Sequence, residues 1–404
     1  MIQALALIFL PIGMALVIFL EIFNGLNHGS AVTVVGGSLS LFLGIMLYYT
    51  RVSEMKFYVK KIKRAENIVL LSCACVFLYL GYVTAVYGYS PTLLFFMDGY
   101  VPPELQYGRY RALMPLRSLL PPLIVAQTVF VFMILPCRSA IKSYLVRVLS
   151  FFSLLSLSVV VDTRHVLLWP ILYFICGKLP RVDFLRRLVN KKFLFVIILV
   201  SIIIWQLFVI LGNIRIGSDA LEFGARQLAM DFDLNPAYWD LSGAAIWAII
   251  YLFGGFARGI DRENELEVFH FDLQEELFPG VLQFIPSALG LHVADATDRF
   301  SQQAMAIDGY HDLCLVYGFL LGSFLFATQI LLFIYIIHKI TQRLKTSGTV
   351  NPVWYALFLW LGVRILLLPI GAYIFAFSGL MEGVFLYLFM YAAKMYIVKK
   401  RDAE

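Results

Sequence analysis

Residues 312–345 read DLCLVYGFLLGSFLFATQILLFIYIIHKITQRLK. From 312 to 338 the only acidic or basic charge is Asp312, and Lys339, Arg343 and Lys345 follow at once. A bilayer core of ~30 Å is crossed by a helix of about 20 apolar residues. This stretch therefore predicts a membrane span with a cationic end, and cations flanking a span mark its cytoplasmic side.

Working outward, comparable segments lie at 2–23, 30–50, 67–88, 116–136, 144–161, 164–177, 193–212, 353–376 and 380–398. With 312–338 they make ten. The sixth is short and carries Pro170, which suits a tilted or kinked helix with Lys178 snorkelling at its end. The expected fold class is an all-α polytopic membrane protein. Residues 1–212 hold helices 1–7, 213–311 form one large external loop with short helices, and 312–404 hold helices 8–10. The N-terminus is apolar from the outset and has no cationic leader region, so 2–23 is expected to be a retained first span.

Charge sets the sidedness. All 13 Lys and 9 of the 19 Arg fall in 51–64, 137–147, 178–192, 339–345 and 394–401. That set is cytoplasmic by the positive-inside rule, as are both termini. The remaining ten Arg, with no Lys among them, lie in the spans or on the other side. Arg presents a planar fork of donors that fits phosphate and it keeps its charge. Arginines kept outside, against the orientation rule, point to an anionic substrate there.

The long loop 213–311 holds 15 of the 26 acidic residues and five of those ten Arg. Its Trp and Tyr content argues for a folded element. Within it LSGAAIWAIIYLFGGFA, 241–257, reads either as an eleventh span, which needs a return crossing through the Pro- and Gly-bearing 277–294, or, as preferred, as a helix lying on or dipping into the outer leaflet and ended by Gly254-Gly255.

Composition excludes several classes. The chain is 61% hydrophobic and 14% charged, whereas a soluble domain is about one quarter charged. The net charge of +6 is spread over loops, so it reports orientation and offers no nucleic-acid surface. The five Cys lie in or beside apolar spans, which excludes a disulfide framework in the long loop. No GxxxxGK[ST], HExxH, paired CxxC or GxSxG occurs. No cofactor or metal is expected, and any chemistry must rest on positioned charge.

Five arginines are candidates for holding a phosphate. Arg164 opens the short sixth span in DTRHVLLWPIL, where it faces either a phosphate or Asp162. Arg215 follows the seventh span. Arg258, in GGFARG, and Arg299 lie in the long loop among acids that can pair with them. Arg364 falls within a span, where a charge is costly and usually functional. Tyr110, interleaved with Arg109 and Arg111, suits sugar stacking or an interfacial belt, and Trp239 and Tyr251 are the other candidate sugar contacts. In DGYHDLCLVYGFLLGS, 308–323, the residues His311, Asp308 and Asp312 suit either a general base for a sugar hydroxyl or the capped start of a helix.

Three of these landmarks carry a resemblance. They are Asp162-Thr163-Arg164-His165 before VLLWPIL, the stretch IIYLFGGFARG in the large loop, and HDLCLVYGFLLG at a late span. In this order they resemble the O-antigen polymerase (Wzy-type) family. The O-antigen ligases share the last motif with a longer gap between His and Gly than separates His311 from Gly318. The resemblance implies a GT-C-like fold and a metal-independent glycosyltransferase of the bacterial inner membrane. Its substrate would be an undecaprenyl diphosphate-linked oligosaccharide, its surroundings membrane lipids, and a chain-length regulator a possible partner. Alternatives are a ligase acting on lipid A core and a lipid-linked glycan flippase.

Overall fold

The structure is a computed structural model. It describes residues 2–26, 30–50, 57–59, 65–87, 144–161, 225–226, 229–268, 307–347, 349–350, 352–369 and 397–399, with a few isolated positions besides. The expected spans 116–136, 164–177 and 193–212 lie outside these apart from single residues, as does most of 380–398.

Helices dominate. They are α1 (Ile2–Phe19), α2 (Ala31–Tyr49), α3 (Ala65–Tyr87), α4 (Tyr144–Val161), α5 (Gly243–Asp261), α6 (Gly309–Tyr317), α7 (Phe319–Ser347) and α8 (Pro352–Leu366). Among the described residues, three helical stretches are long and apolar enough to cross a membrane: Ala31–Tyr49, Gly243–Asn264 and Phe319–Thr346. The helical expectation needs one amendment, a small antiparallel sheet. Its strands β1 (Phe57–Val59) and β2 (Thr349–Val350) flank β3 (Ile397–Lys399), with Tyr58 opposite Val398 and Val350 opposite Ile397.

The chain divides into two units. The first comprises Met1–Arg51, Ser218–Tyr335 and Arg364–Phe377. Its basis is the α1–α2 pair. Small residues of α2 at Thr33, Gly36, Gly37, Ser40 and Gly44 recur at helical spacing and are buried. Gly37 faces Pro11, Gly44 faces Leu7 and Ile8, and the Ser40 hydroxyl donates to the Leu7 carbonyl at 2.8 Å. Small residues let two backbones approach where lipid offers no hydrophobic drive for helices to associate. The exit of α1 is tied to 233–238: Asn24 N donates to Asp233 O, Asn235 N to Ile22 O, and the Tyr238 hydroxyl to Leu20 O. Against the same helix lies α5, with Phe253 and Phe256 around Phe9 and Phe256 against Gly13.

Two helix boundaries depart from the sequence expectation. Gly254-Gly255 does not end α5, which runs on to Asp261 and then tightens into a 3-10 turn, Arg262–Glu265. The glycines are contact points instead. Gly254 faces Phe232, and the Gly255 carbonyl accepts from Asp308 N. The run 312–338 is not one helix either. Gly318, at φ 78°, adopts a conformation that costs glycine little, and it separates α6 from α7. Gly322 then packs on the backbone of Leu313 and Cys314, while the first amides of α7, Phe319 and Leu320, donate to the carbonyls of Glu267 and Val268.

The second unit comprises Val52–Gly217, Ile336–Val363 and Ser378–Glu404. It contains the sheet and the α3–α4 pair. There Cys73 lies 3.7 Å from the hydroxyls of both Ser150 and Ser153.

Candidate active site

Asp308 is the N-cap of α6. Its Oδ1 accepts from the backbone amides of Tyr310 at 3.1 Å and His311 at 3.2 Å, satisfying donors that the first helical turn leaves open. The other oxygen, Oδ2, lies 2.5 Å from His311 Nδ1. The capped helix start expected for this segment is realised by Asp308, and the same carboxylate reaches the imidazole.

The opposite ring nitrogen, Nε2, lies 3.0 Å from Oε1 of Glu263, on the 3-10 turn after α5. The Thr33 hydroxyl, in the first turn of α2, donates to the same Oε1. Three side chains thus close around one imidazole, and the four residues come from three separate stretches of chain. Gly259 makes this possible. A Cβ built there would stand 2.6 Å from the His311 ring and 2.7 Å from Asp308 Oδ2. The start of α6 is further held by Gly309 N, which donates to Leu368 O at 2.6 Å, in the turn that follows Arg364.

The cluster is dry. His311 and Asp308 are 0% exposed, Thr33 6% and Glu263 8%. Burial alone would hold the imidazole neutral. The Asp308 carboxylate, with Glu263 adding to it, outweighs that desolvation and raises the His311 pKa to about 9. At neutral pH the ring is an imidazolium donating to a carboxylate on each side. Glu263 Oε2 is buried and has no hydrogen-bond partner among the described residues.

Of the residues expected from sequence, His311 and Asp308 come together here. Asp312 is half-buried in the first turn of α6, and neither ring nitrogen of His311 bonds to it. The guanidinium of Arg258 stacks 3.9 Å from the centre of the Phe232 ring. Arg364 is buried, 3% exposed, near the end of α8. Tyr251 stacks on Trp247 at 5.3 Å. Trp239 donates from its indole to the Leu234 carbonyl at 2.9 Å, so it serves the turn between α1 and α5. Arg164, Arg215, Arg299 and Tyr110 lie outside the described residues.

Glu263, Thr33 and Gly259 are not singled out by the sequence. Glu263 sits in DRENELE, which reads as a solvated acidic run. Its one distinguishing signal is position, four residues beyond Gly259 at the end of an apolar helix. Among the described residues no group of three His, Cys, Asp or Glu is placed to hold a metal ion. No family model matches the chain, and no curated protein and no solved structure matches it.

Proposed function

We propose that this chain is a polytopic membrane glycosyltransferase that polymerises polyprenyl diphosphate-linked oligosaccharide repeat units at the external face of the bacterial inner membrane. The observation that carries this reading is the buried imidazole of His311 held between Asp308 and Glu263. Ionisable groups inside an apolar helical protein are expensive, and they are kept for chemistry or transport. The sidedness agrees. By charge, α2 begins and 312–338 enters from the external side, and these ends supply Thr33, Asp308 and His311. The three paired strands also all belong to or adjoin the lysine-bearing segments.

The chemistry follows from that arrangement. The acceptor sugar hydroxyl attacks the anomeric carbon of the donor glycan. The bond from that carbon to the diphosphate breaks, and the lipid diphosphate leaves with the electron pair. Arginines outside the cytoplasmic set, Arg164, Arg215 and Arg258 first, then Arg299 in the external loop and Arg364 within a span, stabilise the charge that develops on it. A carboxylate of the cluster takes the hydroxyl proton. Cleavage of the activated carrier supplies the drive, so no nucleotide is needed, and the arginines supply the positive charge at the diphosphate.

Purified protein supplied with lipid-linked repeat units is expected to build a ladder of polymer lengths. Arg164→Ala is expected to abolish the ladder at unchanged protein level. Absence of a ladder from the wild-type protein overturns the reading. A second reading, a proton-coupled carrier of the same lipid-linked glycan, draws on the complete burial of His311 and on the helix break at Gly318. It predicts movement of intact repeat units across vesicles with no polymer formed.

A further inference from the structure

The histidine is the obvious base by residue type, and the geometry argues against it. A base needs a free lone pair. Both nitrogens of His311 are engaged by carboxyl oxygens, at 2.5 Å to Asp308 and 3.0 Å to Glu263, so neither is open to a substrate hydroxyl. Asp308 is already engaged on both of its oxygens. Its Oδ1 accepts two backbone amides and its Oδ2 faces the imidazole.

Glu263 differs from both. Its Oε1 is fixed by His311 Nε2 and by the Thr33 hydroxyl, while its Oε2 is buried with lone pairs unmatched among the described residues. A buried carboxylate oxygen without a donor is costly. A structure that holds one oxygen with two donors and leaves its neighbour without any has oriented that second oxygen.

We propose that Glu263, through Oε2, is the catalytic base that takes the proton of the acceptor hydroxyl, and that His311 and Asp308 are positioning residues that hold its other oxygen. The inference rests on the glycosyltransferase reading. In the step, the acceptor O–H bond breaks and its proton goes to Oε2. The freed electron pair forms the bond to the anomeric carbon, and the carbon–diphosphate bond breaks toward the lipid carrier. Protonated Glu263 still accepts at Oε1 from His311 and Thr33, so the cluster keeps its shape through the cycle. Because Oε2 is enclosed in this state, the acceptor must displace the single 3-10 turn, Arg262–Glu265, that carries it.

The test uses the full chain in detergent with lipid-linked repeat units, and it measures initial polymerisation rate against pH together with donor binding. Glu263→Gln keeps the acceptor at Oε1 and removes the basic oxygen. Its rate is expected to fall by about 100-fold or more, with donor binding within about threefold of wild type and with loss of the rate's dependence on a deprotonated group. His311→Gln is expected to retain that dependence at reduced rate, since it disturbs position and leaves the base. If Glu263→Gln fails to fold, Glu263→Asp carries the test, and a rate lowered by about 10-fold or more that keeps its dependence on a deprotonated group is the expected result. A Glu263→Gln rate within about threefold of wild type, or a pH dependence lost in His311→Gln and kept in Glu263→Gln, overturns the assignment while leaving the glycosyltransferase reading intact. A wild-type protein that makes no polymer removes the reading itself.

Discussion

Among the described residues, the α3–α4 contact and the cluster at the start of α6 bury polar side chains by opposite means. Between α3 and α4 the groups are neutral. Cys73 meets Ser150 and Ser153, and each hydroxyl also donates to a carbonyl of its own helix, at 2.7 Å to Val146 and 2.9 Å to Ser150. Around α6 the groups are ionisable, and one oxygen is left over. Neutral hydroxyls joining apolar helices contribute little and cost little. Charges in the same setting are costly unless each is matched. The first arrangement is glue, and the second has the cost and geometry of a site.

Backbone spacing at Gly259 gives the sharpest way to break this contrast. In Gly259→Ala the new methyl would lie 2.6 Å from the imidazole and 2.7 Å from Asp308 Oδ2, so the pair must separate. Separating a buried pair costs about 3–5 kcal/mol, and polymerisation is expected to vanish with it. Gly254→Ala, on the same helix, meets the edge of the Phe232 ring at 2.7 Å. An aromatic ring can give where a bonded pair cannot, so about 1–3 kcal/mol is expected. Unfolding temperatures of the two variants in one detergent settle the order, and equal losses would mean that the cluster carries no special stability.

The same cluster predicts a stability that depends on pH. The folded pKa of His311 is raised to about 9 from 6.5. Its contribution is therefore fully present below pH 6.5 and is lost as pH climbs through 9. The difference between wild type and His311→Gln is expected to shrink by on the order of 3 kcal/mol across that window. Unfolding followed in both proteins from about pH 6 to about pH 10 measures it, and a difference that stays constant would show that the ring is not held charged.

How far the sequence reaches into this contrast depends on what each feature leaves in the chain. Apolar runs are local, so α1, α2, α3 and α4 sit where hydropathy puts them, within a few residues. Glycines are ambiguous in a single sequence. Gly254-Gly255 looks like a helix end and is a contact face, while Gly318, inside a continuous apolar run, is the real break. His311 and Asp308 are legible together because the three-residue spacing that caps a helix also brings the two side chains together. Glu263 and Thr33 are not legible. They reach the imidazole from 48 and 278 residues away, and only the packing of α2 and α5 on α1 brings them there.

Asp308 performs two jobs, and two substitutions separate them. Asp308→Asn keeps an oxygen for the amides of Tyr310 and His311 but removes the charge that faces Nδ1. Asp308→Ala removes both. The two variants are expected to differ by about 1 kcal/mol, the worth of an N-cap, and each is expected to polymerise slowly because His311 loses its anchor. Chemical denaturation gives the difference. Equal stabilities would mean that the amides of the first turn find another acceptor, and the cap would drop out of the account.

The smallest effect belongs to the neutral pair. Cys73 is buried, 2% exposed, yet neither serine depends on it, since each hydroxyl already has a carbonyl on its own helix. Cys73→Ala leaves no donor stranded and opens a space of one sulfur atom. The expected loss is about 0.6 kcal/mol, as for other polar contacts between apolar helices, with polymerisation unchanged. A loss several times larger, read from unfolding of the variant in the same detergent, would make the α3–α4 contact a matched network like the one around His311. Burial of polar atoms would then cease to distinguish the glue from the site.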